Sequence, residues 1–247
     1  MEIILPETIQ KPLFEGTFVL QPDETDFITR TKGESSRLSK KELRMLDTPS
    51  VTIGVPECRP LKDYIKEIGG MLSASPGSVY SRDTFFVILC ACSFRPPQKK
   101  RSSIERATFS VALRAQYGQR HPIAFDIYPR KVEAESGSTF QIKVAPSLKI
   151  SGIQFEPGEM EATVNSNNLI SVITGTGLRE SDVRWDFKKH NREGVHGTYS
   201  LCMIVNRPYK TGAMTISMDV VAEIKTIHGF FLAKIEGLRD QLVKEIC

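Results

Sequence analysis

TFFVILCACSF, residues 84–94, is apolar on both faces, and ATFSVALRA, residues 107–115, alternates without a break. In the second stretch Ala107, Phe109, Val111, Leu113 and Ala115 fall on one side. Thr108, Ser110, Ala112 and Arg114 fall on the other, the period-2 pattern of a half-buried strand. The first stretch, rich in β-formers, predicts a central strand covered on both sides. Outward from this pair the alternation recurs at Ile123, Phe125, Ile127; at Phe140, Ile142, Val144; at Val183, Trp185, Phe187; over Tyr199–Val205; and over Thr215–Ile224. Seven strand candidates separated by Gly, Pro, Asn and Ser turns, with no helix between them, predict an antiparallel sandwich and exclude βα alternation.

Ahead of this block the reading is mixed. A strand is expected at Thr17–Leu20 and another at Val51–Val55. Ser39-Lys40-Lys41-Glu42 reads as a capping box with Leu38 and Leu43 as its staple, opening a short helix through Leu46. Leu61, Tyr64, Ile65, Ile68, Met71 and Leu72 step at helical spacing after Pro60, with Gly69-Gly70 as the ending. The Ser73–Ser81 loop, with Pro76-Gly77, marks the boundary. Residues 1–80 are therefore expected as a mixed α+β segment with two short helices, and residues 81–247 as the sandwich. At the C-terminus Phe231, Ile235, Leu238, Leu242 and Ile246 step by four, three, four and four, predicting an amphipathic helix over 229–246 that closes the sandwich. Gly197-x-Tyr199 before an apolar strand resembles the tyrosine corner of immunoglobulin-like sandwiches, and a buried Trp185 suits such a core. The fold class so implied is mainly β, an antiparallel immunoglobulin-like β-sandwich.

The 247 residues carry 33 Lys and Arg against 29 Asp and Glu, for a net charge of +4. That is mildly basic and short of a dedicated nucleic-acid binder. The five cysteines, Cys58, Cys90, Cys92, Cys202 and Cys247, follow no disulfide framework and are expected reduced, which places the protein in the cytoplasm. The N-terminus lacks a secretory pattern, and no run approaches the roughly 18 apolar residues of a spanning helix.

Chemistry-bearing patterns are few. Arg95-Pro96-Pro97-Gln98-Lys99-Lys100-Arg101 joins the two decisive strands, and Arg106 follows. Arg95, Lys99, Lys100, Arg101 and Arg106 are the candidate ligand-binding residues, cations on a hairpin tip that suit phosphates. Lys188–His196 gathers two His and three cations in one loop, without a nucleophile motif beside them. Cys90 and Cys92 share a strand face, but a zinc site needs four ligands and no second pair occurs. Thr174-Gly175-Thr176-Gly177 lacks the third Gly and the helix of a phosphate loop and reads as a turn. No catalytic residue, metal site or cofactor is predicted. The expected function is a non-enzymatic protein-interaction or assembly module, its interaction helix carrying Phe231, Ile235, Leu238, Leu242 and Ile246, with a protein partner or a second copy. A phosphate or nucleic-acid binder using the basic 95–106 hairpin is the alternative. A membrane-perforating effector that inserts strands 84–94 and 107–115 as a hairpin is the third, set against the commoner case of a hairpin in a sandwich core; the C-terminal helix's mixed charge disfavours its lying on a membrane.

Overall fold

The computed structural model describes residues 11–21, 47–67, 84–98, 101–118, 120–135, 169–190, 194–227, 229–235 and 243–246. Within them lie β1 (Pro12–Leu20), β2 (Ser50–Gly54), β3 (Glu57–Pro60), α1 (Leu61–Glu67), β4 (Thr84–Arg95), β5 (Ser102–Ala115) and β6 (Ile123–Tyr128). There follow β7 (Lys131–Glu135), β8 (Leu169–Thr176), β9 (Asp182–Lys188), β10 (Gly197–Arg207), β11 (Met214–Thr226), β12 (Gly229–Ile235) and β13 (Val243–Ile246). The protein is mainly β, and every strand pair is antiparallel.

One continuous path runs β6-β10-β4-β2-β1-β12-β11-β5-β9-β8-β7, with β3 on β4 and β13 on β11. β1 is the corner. It pairs with β2 on one side and with β12 on the other, and so folds the path into two layers. The far ends of the path meet where β6 runs into β7. There Ala124 N donates to Glu180 O (2.8 Å), Arg179 N to Ala124 O (2.7 Å) and Gly175 N to Arg130 O (2.8 Å). The result is a flattened, nearly closed barrel. Asp126 is buried at this seam; its Oδ1 accepts from Arg130 Nε (3.0 Å) and Nη2 (2.7 Å) and from Ile127 N (2.7 Å). A buried carboxylate is tolerable only with such charge-assisted partners.

The core explains the strand chemistry. Ile88, Cys90, Cys92 and Phe94 of β4 face inward against Phe109, Leu113, Trp185 and Phe187 of the other layer. The rings of Phe94 and Phe187 stand 5.5 Å apart. On the opposite face of β4, Val87, with Phe85 and Leu89 beside it, packs under Leu61, Tyr64 and Ile65 of α1. This is why residues 84–94 are apolar throughout: the strand has a core on each side. In β5 the inward set Ala107, Phe109, Val111 and Leu113 is buried, as the alternation requires.

Four expectations are corrected. The described residues of the segment 229–246, namely 229–235 and 243–246, form strands β12 and β13 in place of the expected helix. Phe231 and Ala233 are buried while Phe230 and Lys234 are exposed, a period of two, and β12 fills the place between β11 and β1 where both neighbours need ladder partners. Leu238 and Leu242 lie outside the described residues. Next, β4 and β5 do not form a hairpin: β4 pairs with β10, β2 and β3, and β5 with β11 and β9. The basic 95–101 turn is an arch from one layer to the other. The loop after β9 is likewise an arch, because β10 belongs to the opposite layer. Third, Cys58 is disulfide-bonded, whereas Cys90, Cys92 and Cys202 are free and buried. Last, residues 174–176 end strand β8, and the turn begins only at Gly177, with φ at 93°. The capping box at 39–42, the strand at 140–144 and residues 68–83 lie outside the described residues.

Candidate functional site

The two arches reach the same end of the molecule, and the hairpin turn between β11 and β12 joins them there. Together they border an open cavity of about 670 Å³. Pro96 and Arg101 come from the first arch, Lys189 and His196 from the second, and Lys225, Thr226 and Ile227 from the hairpin; Ser102, Ser103 and Glu105 of β5 form the floor. The arch geometry makes the convergence. A hairpin tip would project its cations into solvent, whereas an arch carries them across the end of the core.

Local bonds hold the walls. The second arch is stitched to β5 by Lys189 N donating to Glu105 O (3.0 Å) and Val195 N donating to Ile104 O (2.8 Å). Gly194 lies at φ 84° against β5, and a Cβ there would stand 2.7 Å from the Ile104 carbonyl oxygen, so the close approach requires glycine. Tyr199 Oη donates to the His196 carbonyl (2.9 Å), three residues back, while its ring packs 4.7 Å from that of Phe187. Burial, reinforced by Cys92, pushes the Tyr199 phenol well above its ordinary range, so it stays protonated as that donor. His196 Nδ1 lies 3.1 Å from the Gly194 carbonyl and donates to it in the tautomer protonated there.

The hydroxyls of the cavity already have acceptors. Ser102 Oγ donates to Asp47 O (2.7 Å), Ser103 Oγ to Glu105 Oε1 (3.2 Å) and Thr226 Oγ1 to Gly229 O (3.2 Å). Glu105, its side chain 12% exposed, also holds the Lys189 ammonium. Arg101 and Lys225 have no carboxylate partner among the described residues. Lys225 Nζ lies 5.7 Å from the Phe230 ring centroid. Among the described residues Arg101, Lys189 and Lys225 stand against the one carboxylate of Glu105, a formal balance of +2 from Lys, Arg and Glu. Among the described residues the charged donors left without a carboxylate are therefore Arg101 and Lys225, the chemistry of an anion site.

Of the five cations expected from the sequence, only Arg101 is placed on this cavity. Arg95 pairs with Glu15 at 2.7 Å and Arg106 with Glu223 at 3.9 Å, both on the surface; Lys99 and Lys100 lie outside the described residues. Among the described residues the expected interaction helix is absent: Phe231 and Ile246 are core residues of β12 and β13, and Ile235 packs against that core. Lys189 and His196 belong to the basic loop noted in the sequence, but Lys225 and Ile227 were missed. Gly229 was the available signal, a turn residue directly after an apolar strand. Burial pushes the Cys90 thiol up to about 12 and raises Cys92 and Cys202 further, as befits core residues. Among the described residues no group of His, Cys, Asp and Glu could hold a metal ion.

No known protein family matches the sequence, and no curated protein does. Among solved structures the chain is similar to Clostridium perfringens delta-toxin, with 7% identity and a TM-score of 0.32 over 81% of this chain and 89% of the toxin. It is similar also to the Clostridium perfringens NetB toxin in its membrane-inserted form, with 8% identity and a TM-score of 0.31 over 81% and 92% of the two chains. The collagen-binding domain of the Erysipelothrix rhusiopathiae surface protein RspB shows 8% identity and a TM-score of 0.31 over 82% of this chain and 63% of that one.

Proposed function

We propose that this is a non-catalytic binding protein that takes an anionic, phosphate-class ligand in the cavity between the two arches. One observation carries the reading: Arg101, Lys189 and Lys225, from three separate connections, line one cavity whose hydroxyls are already bonded elsewhere. Titration calorimetry with inorganic phosphate tests it. Binding is expected to weaken with added salt, and Arg101→Gln combined with Lys225→Gln is expected to weaken it by about ten-fold or more, the scale of a lost charge-assisted hydrogen bond. Both residues are surface-accessible, so the melting temperature is expected to hold. Undiminished affinity in the double variant, or indifference to salt, sinks the proposal.

An immunoglobulin-like relationship is supported by the Tyr199–His196 bond and the buried Trp185, while the strand order and the corner at β1 depart from the seven-strand pattern. Assembly with a protein partner or a second copy no longer has a helix to rest on. Perforation of a membrane by a β4–β5 hairpin would require the two strands, which lie in different layers, to leave their present partners and pair with each other. A cytoplasmic placement is supported by the three buried free thiols and opposed by the disulfide at Cys58.

A further inference from the structure

We infer that the ligand of this cavity is an organic phosphate, a monoester whose phosphate meets the cations and whose apolar part lies on Ile227 and Pro96. The inference rests on the anion reading above and narrows it. The charge comes first. The formal +2 of the described lining matches the near-dianion that a phosphate monoester carries at neutral pH better than the single charge of a monocarboxylate.

Size is the second argument. About 670 Å³ exceeds what a bare oxyanion fills and lies within the range that holds a whole organic ligand. The third is the apolar lip. Ile227 is 72% exposed on the β11–β12 turn, and Phe230, on the same hairpin, is 36% exposed beside Lys225. Turns favour Gly, Asn, Asp and Ser, and a single exposed apolar side chain needs no explanation. Here one lies on the cavity and the other beneath the ammonium of Lys225. An inorganic anion leaves that juxtaposition without a role. A nucleic acid fits less well, because among the described residues no Phe, Tyr or Trp lines the cavity to stack a base. The organic phosphate can come free in solution or as a lipid headgroup, and the experiment separates the two.

The wild-type chain and Ile227→Ser are titrated with inorganic phosphate and with hexyl phosphate, and both are sedimented with phosphatidylcholine vesicles with and without about one-fifth phosphatidic acid. Hexyl phosphate is expected to bind wild type about ten-fold more tightly than inorganic phosphate. Ile227→Ser is expected to lower the hexyl phosphate affinity about five-fold, the scale of losing part of one buried aliphatic side chain, and to leave inorganic phosphate unchanged. Sedimentation only with phosphatidic acid assigns the lipid source; no sedimentation, with hexyl phosphate still bound, assigns the soluble one. Equal affinities for the two phosphates, or an Ile227→Ser effect on both or on neither, overturn the inference while leaving the anion site standing. Equal sedimentation with both vesicle types, or a single-stranded oligonucleotide that binds more tightly than hexyl phosphate, overturns it as well. If neither phosphate binds, the inference and the anion site fall together.

Discussion

Gly175 stands opposite Trp185 in the β8–β9 ladder, at the seam where the two ends of the sheet path meet. Trp185 Nε1 donates to the Pro129 carbonyl at 3.1 Å, one of the bonds that tie β9 to the β6–β7 corner. A Cβ on Gly175 would stand 2.6 Å from that carbonyl oxygen and 3.2 Å from that indole nitrogen. Alanine here therefore has to part a buried hydrogen bond as well as make room for a methyl group. Gly175→Ala is expected to cost about 2–4 kcal/mol, combining overpacking with an orphaned buried donor. Urea unfolding followed by Trp185 fluorescence reads it, and a loss under about 0.5 kcal/mol, the range of ordinary surface changes, would show that the corner relaxes freely. The sequence showed a Gly-x-Gly that failed as a phosphate loop. It did not show that the first of these glycines is a packing glycine, because Pro129 lies far from it along the chain.

β12 is where the two periodicities compete. Phe231 and Ile235 are four apart and suit a helix, but with Ala233 they also alternate as a strand, and a small side chain hides that alternation. Ala233 separates the alternatives. Two residues are about 200° around a helix, so in a helix Ala233 would face away from Phe231 into solvent and tolerate a charge. In β12 it is fully buried, opposite Ala222 of β11 and Leu20 of β1. Ala233→Glu is expected to destabilise the protein by about 3 kcal/mol or more, since it buries an unpaired carboxylate. Thermal melting with circular dichroism checks it; an unchanged melting temperature would restore the helix. The strands β4, β5, β9, β10 and β11 were legible because long apolar or alternating runs leave no second reading. The layer to which each belongs was not, since neighbours in sequence can pair or arch across with the same residues. For that reason Arg101 was found and its setting was not. The meeting of Arg101 with Lys189 and Lys225 depends on two arches that only tertiary pairing defines.

At the scale of the whole molecule, the corner at β1 and the seam at Pro129 seal a core that holds free thiols and phenols away from water. Burial pushes the Cys90 thiol from 9.0 up to about 12, and burial, aided by Cys202, pushes the Tyr64 phenol from 10.0 up to about 12. Cys92, Cys202, Tyr128 and Tyr199 are raised in the same direction, with burial the largest cause in each. In the unfolded chain these groups ionise near their ordinary values, whereas in the folded chain they hold their protons. The unfolded state therefore binds fewer protons above pH 9.0, and stability falls as pH rises. The contribution is fully present below pH 9.0 and is lost across the window from there to about 12. The groups lie in the two cores on either side of β4, Cys90, Cys92 and Tyr199 in one and Tyr64, Tyr128 and Cys202 in the other, and all shift the same way, so the melting temperature is expected to be level up to that window and to fall steeply within it. Replacing Cys90 and Cys202 by Ala or Val, whichever keeps the neutral-pH stability, is expected to make the fall shallower, because a side chain that cannot ionise has no such linkage. Calorimetric melting of both proteins across the alkaline range measures the two slopes. A parental melting temperature that stays flat through the window, or equal slopes in the two proteins, would show that the core admits water to these thiols.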